Sequence, residues 1–542
     1  MAIDSVHWYM EEVGARVVAK TGIPSDRYHL GKLILHSLQD DPEFILQIDG
    51  ATGESETFGS ALDRSIRCAV SLTNMGIQKD DVMVLMGPNH LDFCVPHNAG
   101  LYLGIMVASI DVTLGVNELT KLFETNQPKI IFCQSEKTGD IEEALRTSKV
   151  DAIVVTFDED SHHTTLAQLL KVEDQNALKN FKPTDFDPDE TIAYLTSTSG
   201  TTGVPKTAMQ SHKNLSIGSR YIWNQFSKFP TPTRMALMTS PAQWLSAGIH
   251  YLFSAILKYT RLQTSATVTP EHFAELVNKY KPTFQIISPN LMLTMITKAN
   301  CDFTCFEFII LGGSAVAQDV VDEVKNITQT DDIYGMYGMS EASGVAVQQD
   351  RCTPPGCYGK PIHGLQMKLV DPNTNEVITE PNVPGEAWFK GPSIFKGYYN
   401  NPEVTKATIT EDGWLKSGDI FYRDENWNLF FVGRHKLLLK YRNHQVSPVE
   451  VEEVIMKHPG VFHVAVTGIP DRECGDLVVA CVVPKPGCSP SAQEIKDLVK
   501  ESLTDSKQLR GGVIFLNELP LTSTSKVNRQ ILKELVLTLP RE

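Results

Sequence analysis

Short apolar runs alternate with longer amphipathic stretches through the first two thirds of the chain. Residues 81–86 (DVMVLM), 129–133 (KIIFC), 152–156 (AIVVT), 285–288 and 308–311 (FIIL) read as strands. The first ends at Gly87-Pro88-Asn89, and a helical pattern follows through Leu103. Runs that are apolar at every position, rather than at every second one, predict strands buried on both faces, as in parallel sheets covered by helices. After Gly356 the texture changes to short strands and turns, with strands predicted at 366–370, 385–390 and 428–432. From Arg434 a smaller segment mixes helices near 448–458 and 491–503 with strands at 463–467 and 477–483. The predicted fold class is therefore α/β. Residues 1–433 form a large N-terminal domain of doubly wound sheets with a β-rich subdomain. Residues 434–542 form a small, mobile α+β C-terminal domain. Gly433 at the boundary permits large changes of backbone dihedral.

Composition narrows the picture only slightly. The 542 residues are 42% hydrophobic and 21% charged, which excludes a disordered or fibrous chain. A formal net charge of −16 disfavours nucleic acid and anionic membrane as general partners. The ten cysteines include only two close pairs, Cys301/Cys305 and Cys352/Cys357, so reduced structural thiols are expected and zinc is not. Residues 1–16 carry Asp4, Glu11 and Glu12 and no apolar core of a signal peptide. The apolar stretch 100–110 is too short to span a bilayer, and the chain ends Leu-Pro-Arg-Glu rather than in the peroxisomal Ser-Lys-Leu. A cytoplasmic protein is expected, with the peroxisome as the alternative.

Three segments carry candidate chemistry. Thr196-Ser197-Thr198-Ser199-Gly200-Thr201-Thr202-Gly203-Val204-Pro205-Lys206 follows an apolar run at 192–195. Its glycines let backbone N–H groups close on an anion, its hydroxyls donate and Lys206 adds a charge, although it is not a Walker A loop. On composition it reads equally as a solvated turn. Tyr334 to Glu341 (YGMYGMSE) offers an aromatic face for a base and a carboxylate for Mg²⁺, or simply a turn with a solvated Glu. Gly413 to Asp419 (GWLKSGD) fixes a carboxylate that could accept from two ribose hydroxyls, and alone reads as an ordinary turn.

Taken together with GRHKLLLKYRNHQVSPVEVE and TSTSKVNR further on, these motifs occur in the order found in the ANL adenylate-forming enzymes. That superfamily includes acyl-CoA synthetases, 4-coumarate–CoA ligases and beetle luciferases. The resemblance runs from about residue 50 to residue 535, and LRGGVIF and GYYNNP resemble the luciferase and coumarate-ligase branch. It implies an acid–thiol ligase using ATP, Mg²⁺ and CoA, with small molecules as partners. Thr198, Ser199, Gly200, Thr201, Thr202, Gly203 and Lys206 would cradle the phosphates. Gly312-Gly313-Ser314 and Met336-Tyr337-Gly338 would border the adenine and acyl sites. Ser340 would contact the α-phosphate, Glu341 would bind Mg²⁺, and Asp419 and Arg434 would hold the ribose. Lys526 would act in adenylation. Lys440 would replace it in the thiol half-reaction after rotation of the small domain, with Asn443 and His444 along the CoA tunnel.

The chain departs from the family pattern where Thr207 follows Lys206, where Gly433 stands at the hinge, at Asn443 in place of a glycine, and at Ser525 before Lys526. Asparagine tolerates positive φ better than other residues with a side chain. On the acid side, Trp244 stands where luciferases carry a histidine. Alone it reads equally as a core tryptophan. With Gly248, Tyr251, Phe253 and residues 291–295 it predicts an apolar acid of medium or long chain. His212 reads as structural. Two other classes stay open: a luciferase-type monooxygenase using the same adenylate, which Trp244 disfavours, and a weakly active acyl- or nucleotide-binding relative, which the retained charged residues disfavour.

Overall fold

The computed structural model describes residues 5–198, 206–223, 234–442, 444–471, 474–522 and 526–542, with Lys440, His444 and Gln445 described in backbone only. Two large sheets lie face to face across one core. In the first, of seven strands, Val82–Met86 lies between Ile130–Cys133 and Met106–Ser109, all parallel. Its side chains alternate between two buried surfaces. Met83 and Leu85 face the central core, and Val82, Val84 and Met86 face helices Val116–Asn126 and Thr138–Ser148. This is why the sequence there is apolar without alternation.

The second sheet has nine strands and the same logic. Phe284, Phe308, Ile310, Tyr334 and Met336 face the central core, while Ile287, Ile309, Leu311 and Ile333 face helices Pro270–Tyr280, Pro289–Lys298 and Gln318–Thr328. Helix Leu245–Ile256 is buried in the central core between the sheets. The expected parallel arrangement holds in the interior of both sheets and fails at their margins. Lys206–Ser211 returns antiparallel to Ile192–Thr198, and Gly344–Gln348 antiparallel to Ile333–Met339. At a margin a direct return costs no crossover helix.

A five-stranded antiparallel sheet follows and contains Gly385–Lys390, Leu415–Arg423 and Leu429–Arg434. Its last strand carries the chain past Gly433, whose φ is 151°, to Arg434 before the 3-10 turn His435–Leu437. The small domain then packs helices Pro448–Met456 and Ala492–Ser502 against one face of its sheet and helix Arg529–Thr538 against the other. Helix Pro448–Met456 starts where Ser447 accepts from the Glu450 N–H and Pro448 supplies a preset φ. Met456 at its end packs into the helix layer under the nine-stranded sheet, and Lys298 Nζ lies 5.7 Å from the centre of the Phe462 ring. These contacts seat the small domain on the large one. Among the described residues, no helix is long and apolar enough to cross a membrane.

Candidate active site

Strands Ile192–Thr198 and Lys206–Ser211 form a hairpin in which Thr198 pairs with Lys206. Thr198 Oγ1 donates to the Lys206 carbonyl at 3.2 Å. Of the hairpin turn, Ser199, Gly200, Thr201, Thr202 and Gly203 lie outside the described residues.

Gln210 ties this hairpin to the next segment. It accepts from Thr196 Oγ1 at 2.7 Å and donates to the Ser340 carbonyl at 2.7 Å. Strand Ile333–Met339 ends in the 3-10 turn Ser340–Ala342, and Ser343 and Gly344 follow at positive φ. Gly338 packs its backbone against the Gly344 carbonyl, where a Cβ has no room. On the neighbouring strand Gly312 pairs with Met336, and Gly313 turns away at φ 88° toward half-buried Ser314.

Asp419 is the buried anion of the site, 2% exposed. The turn before it is held by Gly418 N–H donating to Glu386 Oε1 at 2.8 Å and by Asp419 N–H donating to Ser417 Oγ at 3.0 Å. Tyr337 Oη donates to Asp419 Oδ2 at 2.6 Å from a ring packed near Phe389, Phe421 and Phe431. Strand pairing sets Arg434 opposite Asp419, with Nε 3.1 Å from Oδ1. Oδ1 is buried and has no aligned hydrogen-bond donor among the described residues, so it keeps acceptor capacity for a ligand hydroxyl. Burial raises the Asp419 pKa above the usual carboxylate value, opposed by Arg434 and the Tyr337 hydroxyl. The charge of Asp419 raises the Arg434 pKa in turn.

Glu341 Oε1 accepts from Tyr398 Oη at 2.7 Å, and the Tyr398 ring lies 5.2 Å from Lys206 Nζ. One tyrosine therefore joins the carboxylate to the Lys206 cation of the hairpin. No group of three or more potential metal-ligating side chains occurs among the described residues. A lone Glu341 fits Mg²⁺, which binds through one or two carboxylates together with substrate phosphates and water. Tyr398→Phe should raise the Mg²⁺ concentration for half-maximal rate roughly 3–10-fold, the worth of one hydrogen bond that orients a ligand. A Mg²⁺ titration of the initial rate checks this.

Lys526 belongs to the small domain. The residue as a whole is exposed, yet its ammonium is desolvated enough for burial, then Arg434, to lower its pKa, while Asp419 and Glu341 act in the opposite direction. Lys526, Arg434, Asp419 and Glu341 thus share one electrostatic environment. Lys440 lies on the hairpin Leu439–Tyr441 and His444–Val446, paired with Gln445. The side chains of Lys440 and His444, and the whole of Asn443, lie outside what is described.

Half-buried Trp244 immediately precedes helix Leu245–Ile256, and its Nε1 has no partner among the described residues. Gly248 lies one turn on. Tyr251 is fully buried against Phe93, His97 and Arg261. Phe253 packs on Trp223. Met292, Leu293 and Met295 were expected beside Trp244 and instead belong to the separate core on the opposite face of the nine-stranded sheet. Apolar composition does not reveal which face of a sheet a helix covers. Sequence reasoning also passed over Gln210, Glu386 and Tyr398. Of these, Tyr398 lies within the GYYNNP segment that carried part of the resemblance.

Known proteins resemble this chain in sequence and fold. The profile for AMP-binding enzymes matches residues 36–399, and that for the AMP-binding enzyme C-terminal domain matches residues 450–526. The chain is 32% identical over 494 residues to luciferin 4-monooxygenase of Photuris pensylvanica, covering 89% of this chain and 90% of the other. It is 28% identical over 492 residues to peroxisomal OPC-8:0-CoA ligase 1 of Arabidopsis thaliana, covering 89% of each. The structure of ATP-bound MatB from Rhodopseudomonas palustris matches with a TM-score of 0.81 at 24% identity, over 92% of this chain and 98% of that one. The apo form of the same protein, at 23% identity and the same coverage, matches with 0.72. The chain belongs to the AMP-binding enzymes, the adenylate-forming superfamily of luciferases and acid–CoA ligases.

Proposed function

We propose that this protein activates a carboxylic acid with Mg-ATP as an acyl-adenylate and transfers the acyl group to the thiol of CoA. The observation that carries the reading is buried Asp419, paired with Arg434 at the boundary of the two domains, with Glu341 and Lys526 both acting on its charge. Asp419 and Arg434 would hold the ribose, with Oδ1 of Asp419 accepting from a hydroxyl. Ser340 and Lys206 would face the phosphates together with the loop 199–205. A magnesium ion at Glu341 would neutralise phosphate charge. In the first half-reaction a carboxylate oxygen attacks the α-phosphorus, the mixed anhydride forms and pyrophosphate leaves. Lys526 would stabilise the charge that builds on the oxygens in that transition state. In the second, the thiolate attacks the acyl carbonyl, the thioester forms and AMP leaves.

The small domain would turn about Gly433 and Arg434 between the two steps, withdrawing Lys526 and bringing Lys440 to the adenylate. Asn443 and His444 would then border the path of the thiol. The contacts of Met456 and Phe462 with the large domain, and the higher score against an ATP-bound relative than against its apo form, support reading the present arrangement as the adenylating one. A cytoplasmic or peroxisomal setting suits this chemistry, and one relative is named as peroxisomal.

Half-buried Trp244, in place of a histidine, supports an acid with a flexible apolar tail. The best acid among octanoate, laurate and palmitate is expected to exceed 4-coumarate in kcat/KM for thioester formation by roughly tenfold or more, the scale on which an apolar pocket discriminates. A clear preference for coumarate would overturn the Trp244 argument. Identity to a luciferin 4-monooxygenase favours a second reading, oxidation of the adenylate by O₂. Light emission from luciferin and ATP without CoA separates the two.

A further inference from the structure

Trp244 stands at the start of helix Leu245–Ile256, and Gly248 lies one turn into it, on the face that Tyr194 covers. The Gly248 N–H donates to the Trp244 carbonyl at 3.1 Å. A tail that enters past Trp244 along this face reaches Gly248 next. There the ring of Tyr194 closes the space: a Cβ on Gly248 would stand 2.8 Å from Tyr194 Cε2. The ring is held in place from both sides. Tyr194 Oη donates to the Gly248 carbonyl at 3.1 Å, and Nε2 of fully buried His97 lies 2.5 Å from the same hydroxyl.

Tyr194 stands on the strand that leads into the phosphate loop, and strand alternation puts it on the same face as Thr196 and Thr198. Four residues separate it from Thr198, about 13 Å at the usual rise of a strand. One strand therefore carries both ends of the distance an acid must span, with Thr198 at the end proposed to face the reacting phosphate and an anchored ring at the other. An extended palmitoyl chain is longer than that interval.

We propose that Tyr194 is the stop of the acid pocket and makes this protein select medium-chain over long-chain acids. The proposal rests on the acid-activating reading above. Its test is the ratio of kcat/KM for palmitate to that for octanoate, measured by acid-dependent pyrophosphate exchange in wild type, Tyr194→Phe and Tyr194→Leu. The ratio does not depend on the fraction of enzyme that is folded.

Wild type should favour octanoate. Tyr194→Phe keeps the ring and should hold the ratio within about threefold, whereas Tyr194→Leu should raise it roughly tenfold or more, the worth of a few pocket methylenes. A wild-type optimum at palmitate, or a parallel ratio in Tyr194→Leu, overturns the stop. A second measurement needs no variant. Wild type loaded with the adenylate of an octanoic acid bearing a terminal photoreactive diazirine should be labelled on the peptide containing Tyr194. Labelling confined to other peptides overturns the proposal even if Tyr194→Leu fails to fold. Wild type that exchanges with none of the acids removes the acid-activating reading itself, and the stop with it.

Discussion

Lys526→Ala is expected to slow acyl-adenylate formation about 10²–10³-fold, because it removes one charge-assisted contact worth roughly 3–4 kcal/mol that forms mainly in the transition state. The expected size follows from the surroundings of the ammonium. Its ammonium is desolvated and already feels Asp419, Glu341 and Arg434 before any substrate arrives. Charge that develops on the reacting oxygens is met there with little reorganisation. Thioester formation from supplied acyl-adenylate should stay within about threefold of wild type, since Lys440 is proposed to serve that step and Lys526 to leave. Pyrophosphate exchange reports the first half-reaction, and CoA-dependent AMP release from synthetic adenylate reports the second. Equal losses in both would contradict the division of labour between the two lysines.

Asp419→Ala should lower kcat/KM for ATP by about 10²–10³ while leaving KM for the acid within roughly threefold. The carboxylate has three claims on it: the Tyr337 hydroxyl, the Arg434 guanidinium and, on this account, a ribose hydroxyl at Oδ1. Its loss strands the other partners as well as the ligand. Arg434 stays near half-exposed and can recover water, so the damage should fall on binding more than on folding. Initial rates across an ATP series, with a thermal melt of the same preparation, check this. A loss of less than about tenfold would show that the ribose is held elsewhere.

The interior strands were legible because burial on both faces writes an unbroken apolar run. Residues 385–390 form the strand expected there, and 81–86 differs by one residue. The returning strand Lys206–Ser211 was not legible. Its sequence KTAMQS mixes polar and apolar positions because Gln210, though buried, is occupied by Thr196 and Ser340. The motif order placed Asp419, Glu341 and Lys526 in one expected site, and Glu341 and Lys526 both act on the charge of Asp419. What joins them was hidden, since Tyr398 and Glu386 act through partners 57 and 32 residues away. The acid side was the least legible. Met292, Leu293 and Met295 are as apolar as the residues of helix Leu245–Ile256, and only the alternation of strand faces assigns the two helices to different cores.

The most direct test of the account is exchange of labelled pyrophosphate into ATP by the wild-type protein, with Mg²⁺ and a panel of linear acids and without CoA. The account predicts exchange that requires both acid and Mg²⁺ and that Lys526→Ala largely abolishes. Absence of exchange with every acid, or exchange indifferent to Lys526, would contradict it.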